Sequence, residues 1–192
     1  LTGSTPGNDM NLSVPRVQAN RNFANKVWNA GRLVIGAVER LPAGVGADPL
    51  PTLADRWILA RRAQLLANVD RLFENYQYGE AGRQIYEFFW GEFADWYLEA
   101  AKLQSTEGES RARRTAEIMG PVLDSSLRLL HPFTPFVTEE LWGRLRDACQ
   151  AHPSQLKPAG GWREALIVAP WPKAEGEGDD GEPVRRFELL RD

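Results

Sequence analysis

The chain has 192 residues, 43% of them hydrophobic and 10% aromatic, with a formal net charge of -3. That apolar content over that length is enough for one sizeable core, which excludes a disordered chain. No apolar run approaches the roughly 20 residues of a membrane span, the opening LTGSTPGNDMNLS lacks the regions of a signal peptide, and a single cysteine, Cys149, excludes an internal disulfide. With only His131 and His152 as imidazoles, no zinc-like ligand cluster is formed. A soluble, cytoplasmic monomer that avoids membranes is expected.

The charge is unevenly placed. From residue 174 onward seven acids face three arginines, whereas between Asn11 and Leu41 five basic residues (Arg16, Arg21, Lys26, Arg32, Arg40) face Glu39 alone. In that basic stretch Phe23, Val27, Ala30, Val34, Val38 and Leu41 recur at helical spacing, predicting a helix from Val14 to about Arg40. Ser13 is placed to cap it, and Pro15 is tolerated in its first turn. Its other face gathers Asn22, Asn25, Lys26, Asn29, Arg32 and Leu33.

Pro42, Gly44, Gly46, Pro49 and Pro51 break the pattern, and Thr52 or Asp55 starts a second helix through LADRWILARRAQLLANVDRLFENY. A third helix, from about Gly79 to Leu103, carries Tyr86, Phe88, Phe89, Trp90, Phe93, Trp96 and Tyr97, too many rings for one buried side. After a polar loop from Ser105 to Ser110, a fourth helix runs to about His131, where Pro121 should kink or divide it. Thr134 and Pro135 begin a fifth, PFVTEELWGRL. A short β-like run at Leu166 to Val168 is too isolated for a sheet and is expected to lie on the bundle as an irregular strap. AEGEGDDGEP is an acidic linker, and VRRFELLRD reads as the opening turns of a helix. The fold class is all-α, a bundle of about five helices without solenoid repeats. The expected organisation is a connector over 1-12, a helical domain over 13-173, and a linker with the start of a truncated helix over 174-192.

No glycine-rich phosphate loop, metal-ligand cluster or nucleophile with its base is evident, so no catalytic residue is assigned. Asp124, Ser125 and His131 have the residue types of a hydrolase triad but share one predicted helix, where the adjacent Asp124 and Ser125 diverge. Glu139 and Glu140 are adjacent too and fit a solvated, dipole-complementing first turn. The rings around Trp90 read as core rather than as a stacking surface. Arg111, Arg113 and Arg114 fit phosphate binding or a solvated face equally well. The stripe of amides and cations on the first helix concentrates base-reading donors and acceptors, although a solvated surface accounts for it as well.

NFANKVWNA (Asn22 to Ala30), LADRWILAR, FENYQYGEA, FFWGEFADWYLE, RLLHPFTPFVTEELW and APWP together resemble, in order and spacing, the successive signatures of valyl-tRNA synthetases. The resemblance spans most of residues 11 to 172 and implies the helical anticodon-binding domain of a class I enzyme that joins valine to tRNA using ATP. Adenylation, transfer and editing would lie in domains N-terminal to this piece, whose HIGH and KMSKS motifs are absent here. ATP with magnesium would be bound there, and this stretch would hold no cofactor. The implied partners are the tRNA(Val) anticodon loop and the catalytic, editing and C-terminal coiled-coil domains of the same chain. Carried over position by position, the anticodon-reading surface falls on Lys26, Asn29, Arg32 and Leu33, where many family members have an aromatic ring in place of Leu33. Asn22, Asn25 and Arg21 extend that surface. A sister isoleucyl or leucyl enzyme, or a helical protein-interaction module without an RNA role, are the alternatives.

Overall fold

A computed structural model of the chain describes residues 13-41, 49-151, 161-173 and 181-191. Among these residues every regular element is helical: α1 (Val14–Glu39), α2 (Leu53–Glu74), α3 (Tyr78–Glu87), a π-helical segment (Phe88–Tyr97), α4 (Leu98–Gln104), α5 (Glu109–Leu130), α6 (Pro135–Ala151), a 3-10 turn (Leu166–Val168) and α7 (Glu182–Arg191). The fold is the expected all-α bundle. The connector over 1-12, the breaker residues 42-48, His152 and most of the acidic linker lie outside the described residues.

Helix α1 buries Phe23, Val27, Ala30, Gly31, Val34, Ile35 and Val38, a row with the helical period, against α5, α6 and the π-helical segment. Ser13 sits extended at its N-terminus but makes no side-chain cap. Gly31 marks a close approach to α6, because a Cβ there would lie 2.8 Å from Leu141, itself fully buried.

Helix α2 starts with a reciprocal cap. Thr52 Oγ1 accepts the Asp55 N–H at 3.1 Å, and the Asp55 carboxylate accepts the Thr52 N–H at 2.8 Å. The same carboxylate, fully buried, accepts the Tyr97 hydroxyl at 2.8 Å. Gln104 Nε2 donates to Thr52 Oγ1 at 2.7 Å, and Thr115 donates to Gln104 Oε1 at 3.0 Å. One polar chain thus ties α2, the aromatic helix and α5 together. Burial, with the Asp55 charge beside it, pushes the Tyr97 phenol far above its ordinary range, so it remains a donor.

The other end of α2 closes through Gln77 N–H to the Leu72 carbonyl and Tyr76 N–H to the Phe73 carbonyl, with Tyr76 at φ 57°. A left-handed tyrosine costs about 1–2 kcal/mol. Its edge-to-face contact with Tyr78, centroids 6.2 Å apart, returns about 0.5–1.5 kcal/mol. A left-handed turn without glycine is therefore sustainable here.

Three expectations need correction. The third helix is not uniformly α: ten residues, Phe88–Tyr97, adopt π-helical geometry between α3 and α4. Pro121 does not divide the fourth helix, since α5 runs unbroken from Glu109 to Leu130 and nearly every residue from Thr115 onward is buried. The buried residues that follow, Val122 to Leu130, keep the helix packed past the turn that the missing N–H would otherwise loosen. The β-like run at Leu166 to Val168 is a 3-10 turn, as no strand lies beside it to complete a ladder. Helix α7 returns to the bundle, its Phe187 ring stacked 4.2 Å from Trp57 on α2.

Asp55→Ala removes the carboxylate half of the reciprocal cap and strands the buried Tyr97 hydroxyl. We expect a loss of about 2–4 kcal/mol in urea unfolding, from a cap and an unsatisfied buried donor together. A near-neutral variant would contradict the buried network.

Candidate nucleic-acid interface

The exposed side of α1 is one surface rather than scattered polar positions. Asn22, Asn25 and Asn29 follow one another at spacings of three and four, with Arg21 and Arg32 alongside. All five are exposed, and among the described residues none of their side chains has a hydrogen-bond or ion-pair partner. From Arg21 to Leu33 the strip is about 18 Å long at the helical rise of 1.5 Å per residue. Its polar groups are held on a rigid element and remain available to a ligand.

Two cation–π contacts border the strip. On one edge the Lys26 ammonium lies 4.7 Å from the Trp90 ring centroid and pairs with Asp95. On the other edge the Arg144 guanidinium of α6 covers Trp28 at 5.1 Å and pairs with Glu140 at 2.7 Å. Leu33 is half-buried against the core, offering only an apolar rim. Of the seven candidate residues, five are unpartnered and exposed, while Lys26 and Leu33 are held by the bundle.

Trp90 lies near-parallel to Phe23 at 6.2 Å and to Tyr86 at 5.7 Å, two rings that are themselves in contact at 4.6 Å. The reading of the aromatic cluster as core holds for Phe88, Phe89, Phe93 and Tyr97, all buried. It fails for Tyr86 and Trp96, which are 39% and 45% exposed, and for half-buried Trp90. Sequence reasoning missed Asp95 and Arg144 because each meets α1 only through the tertiary packing. An acid five residues after a tryptophan carries no meaning until a π-helical turn is recognised.

Elsewhere the tempting polar groups are structural. Asp124 accepts from Arg128 Nε at 3.0 Å and from Trp142 Nε1 at 2.8 Å, while Arg128 also reaches the Pro170 carbonyl at 2.8 Å. Burial pushes the Asp124 carboxyl up, and Arg128 and Trp142 oppose that shift. Ser125 Oγ donates within its own helix, to the Pro121 and Val122 carbonyls at 2.9 and 3.1 Å, and accepts from Arg62. His131 Nδ1 pairs with Thr138 instead, so the three triad-like residues never converge. Arg113 and Arg114 pair with Glu117 about one turn along the same helix, and Arg111 donates to the Leu50 carbonyl at 2.8 Å, tying the start of α5 to the segment before α2. Glu139 departs from the solvated-face expectation. Its carboxylate accepts the Leu166 and Ile167 N–H groups and so fastens the strap to α6.

These features define a helical module that presents one rigid face of amides and cations, on which Asn22, Asn25, Asn29, Arg21 and Arg32 have no side-chain partner among the described residues. The chain belongs to the family of anticodon-binding domains of tRNA ligases, whose description, "Anticodon-binding domain of tRNA ligase", matches residues 55–192. That match begins after α1. Relatives matched over nearly the whole chain include the valine–tRNA ligases of Carboxydothermus hydrogenoformans and Enterococcus faecalis. Each is 40% identical over 99% of this chain and 20% of the relative. The valine–tRNA ligase of Geobacillus stearothermophilus is 38% identical over 100% of this chain and 20% of its own length. The chain therefore spans about one fifth of the curated relatives it matches. Among the described residues no helix is long and apolar enough to cross a membrane.

The Asp124–Arg128 pair should dominate the stability of this half of the bundle. Asp124→Ala leaves a buried guanidinium unpaired and is expected to cost about 3–5 kcal/mol, read as a lowered thermal or urea midpoint. Replacing both residues with apolar ones should recover much of that loss.

Proposed function

We propose that this chain is the anticodon-reading module of a valine–tRNA ligase, and that it binds the tRNA(Val) anticodon loop along the exposed face of α1. The observation that carries this reading is the row Asn22, Asn25 and Asn29, rigidly displayed and without partners among the described residues. An amide presents a donor and an acceptor side by side, the pattern that matches an adenine or cytosine edge. Arg21 and Arg32 supply attraction to phosphate. Leu33 supplies an apolar rim where a larger ring would stack a base.

The matched relatives named above are all valine–tRNA ligases, which favours the valyl assignment over a sister enzyme. On this reading the whole protein ligates valine to tRNA in the cytoplasm, using ATP and magnesium bound in its other domains. The present module supplies recognition and acts as a monomer.

The test is fluorescence titration of the 192-residue chain with a valine anticodon stem-loop and with one altered at the middle anticodon base, across several salt concentrations. The valine loop should bind more tightly, and both should weaken as salt rises. Asn29→Ala should reduce the preference by about tenfold, the scale of one good amide–base contact, with little change in folding stability. An Asn29→Ala chain with undiminished discrimination would remove that residue from the reading surface.

A further inference from the structure

Lys26 differs from every other cation of the strip in being held. Its ammonium pairs with Asp95 and lies 4.7 Å above Trp90, and its side chain is 28% exposed against 45% for Asp95. Arg21 and Arg32 have no such restraint. The π-helical register makes the arrangement possible. With hydrogen bonds from residue i to i+5, Trp90 and Asp95 fall on the same side of their helix, whereas α-helical winding would separate them by about 140°. Phe23 and Tyr86, in contact with each other at 4.6 Å, both pack near-parallel to the Trp90 ring.

Two consequences follow from elementary electrostatics. The charge of Lys26 is already compensated by Asp95, so it adds little to the attraction that a phosphate feels. Its position is also fixed relative to Asn22 and Asn29, its neighbours at i-4 and i+3 on the same face. An ammonium has three donors, and the Asp95 contact does not exhaust them.

We infer that Asp95 is a positioning residue that converts Lys26 from a phosphate-binding cation into a fixed donor reading a base acceptor, a carbonyl oxygen or ring nitrogen, beside the base met by Asn29. This rests on the anticodon reading proposed above and adds to it a division of labour: Lys26 discriminates, while Arg32 supplies salt-dependent affinity.

The test compares wild type with D95N, D95E, K26A and R32Q in the 192-residue chain. Each is titrated with the valine stem-loop and its middle-base variant across a salt series. The Lys26 ε-methylene signals are followed by NMR without RNA. Wild type should show those signals shifted upfield by the Trp90 ring, and D95N should relax them towards free-lysine values. D95N should also lose about tenfold of the preference and steepen the log–log salt slope by about 0.7, as a released ammonium takes up one phosphate. D95E should keep the wild-type slope and preference. K26A should lose preference at an unchanged slope, whereas R32Q should flatten the slope by about 0.7. Wild-type preference and slope in D95N would overturn the role of Asp95 alone. A K26A slope flattened like that of R32Q would overturn the assignment of Lys26 to a base. A wild-type chain that prefers neither loop would overturn the anticodon reading and this inference with it.

Discussion

The close approach of α1 to α6 at Gly31 is the constraint on which the candidate surface depends. A Cβ at that position would meet the Leu141 methyls at 2.8 and 2.9 Å, and Leu141 cannot swing aside because it is fully buried. Contact this close fixes the rotation of α1 about its axis. A helix is a rigid rod, so fixing one face fixes the opposite one. With Gly31, Val27, Val34 and Val38 inward, the asparagine row must point outward. The core residues of α1 thereby determine where its amides are presented.

Around this contact the bundle uses buried polar groups where an apolar core would have been simpler. Asp55, Tyr97, Gln104 and Thr115 form one chain of hydrogen bonds, and Asp124, Arg128 and Trp142 form another. Desolvating such groups largely offsets their attraction, so they add less stability than their number suggests. Their geometry nevertheless restricts how the helices can slide, because displacement leaves a buried charge or hydroxyl unpaired. Arg128 extends this restriction to the strap through the Pro170 carbonyl, and Trp171 does so through Asp70 at 2.7 Å. Residues 161-173 are thus pinned at several points although their one regular element is the 3-10 turn.

The parts legible in the sequence were those governed by local rules. Thr52 and Asp55 announced the start of α2 because a capping box is set by residues three apart. The two faces of α1 followed from its 3.6-residue period, and so did its candidate strip. The π-helical segment was hidden because Phe88 to Tyr97 is mostly apolar, and its two acids, Glu92 and Asp95, make no periodic pattern that would reveal a change of register. For the same reason Trp90 could not be distinguished from its buried neighbours. Lys26 was recognisable as a cation on the right face, but its partner Asp95 lies 69 residues away and is brought to it only by the packing. The strap resembled a strand because Leu, Ile and Val are common in strands. Its hydrogen bonds go instead to the Glu139 carboxylate, which no local pattern encodes.

A rigid scaffold thus presents the proposed reading face, bordered by Lys26 with Trp90 and by Arg144 with Trp28. Photocrosslinking this chain to a valine anticodon stem-loop carrying 4-thiouridine beside the anticodon, followed by peptide mapping, tests that placement most directly. Crosslinks within residues 21–33 of α1 and at the adjoining Tyr86 and Trp90 are predicted. Crosslinks confined to other faces, such as α7 or the α6 groove around Phe136 and Ile167, would contradict it.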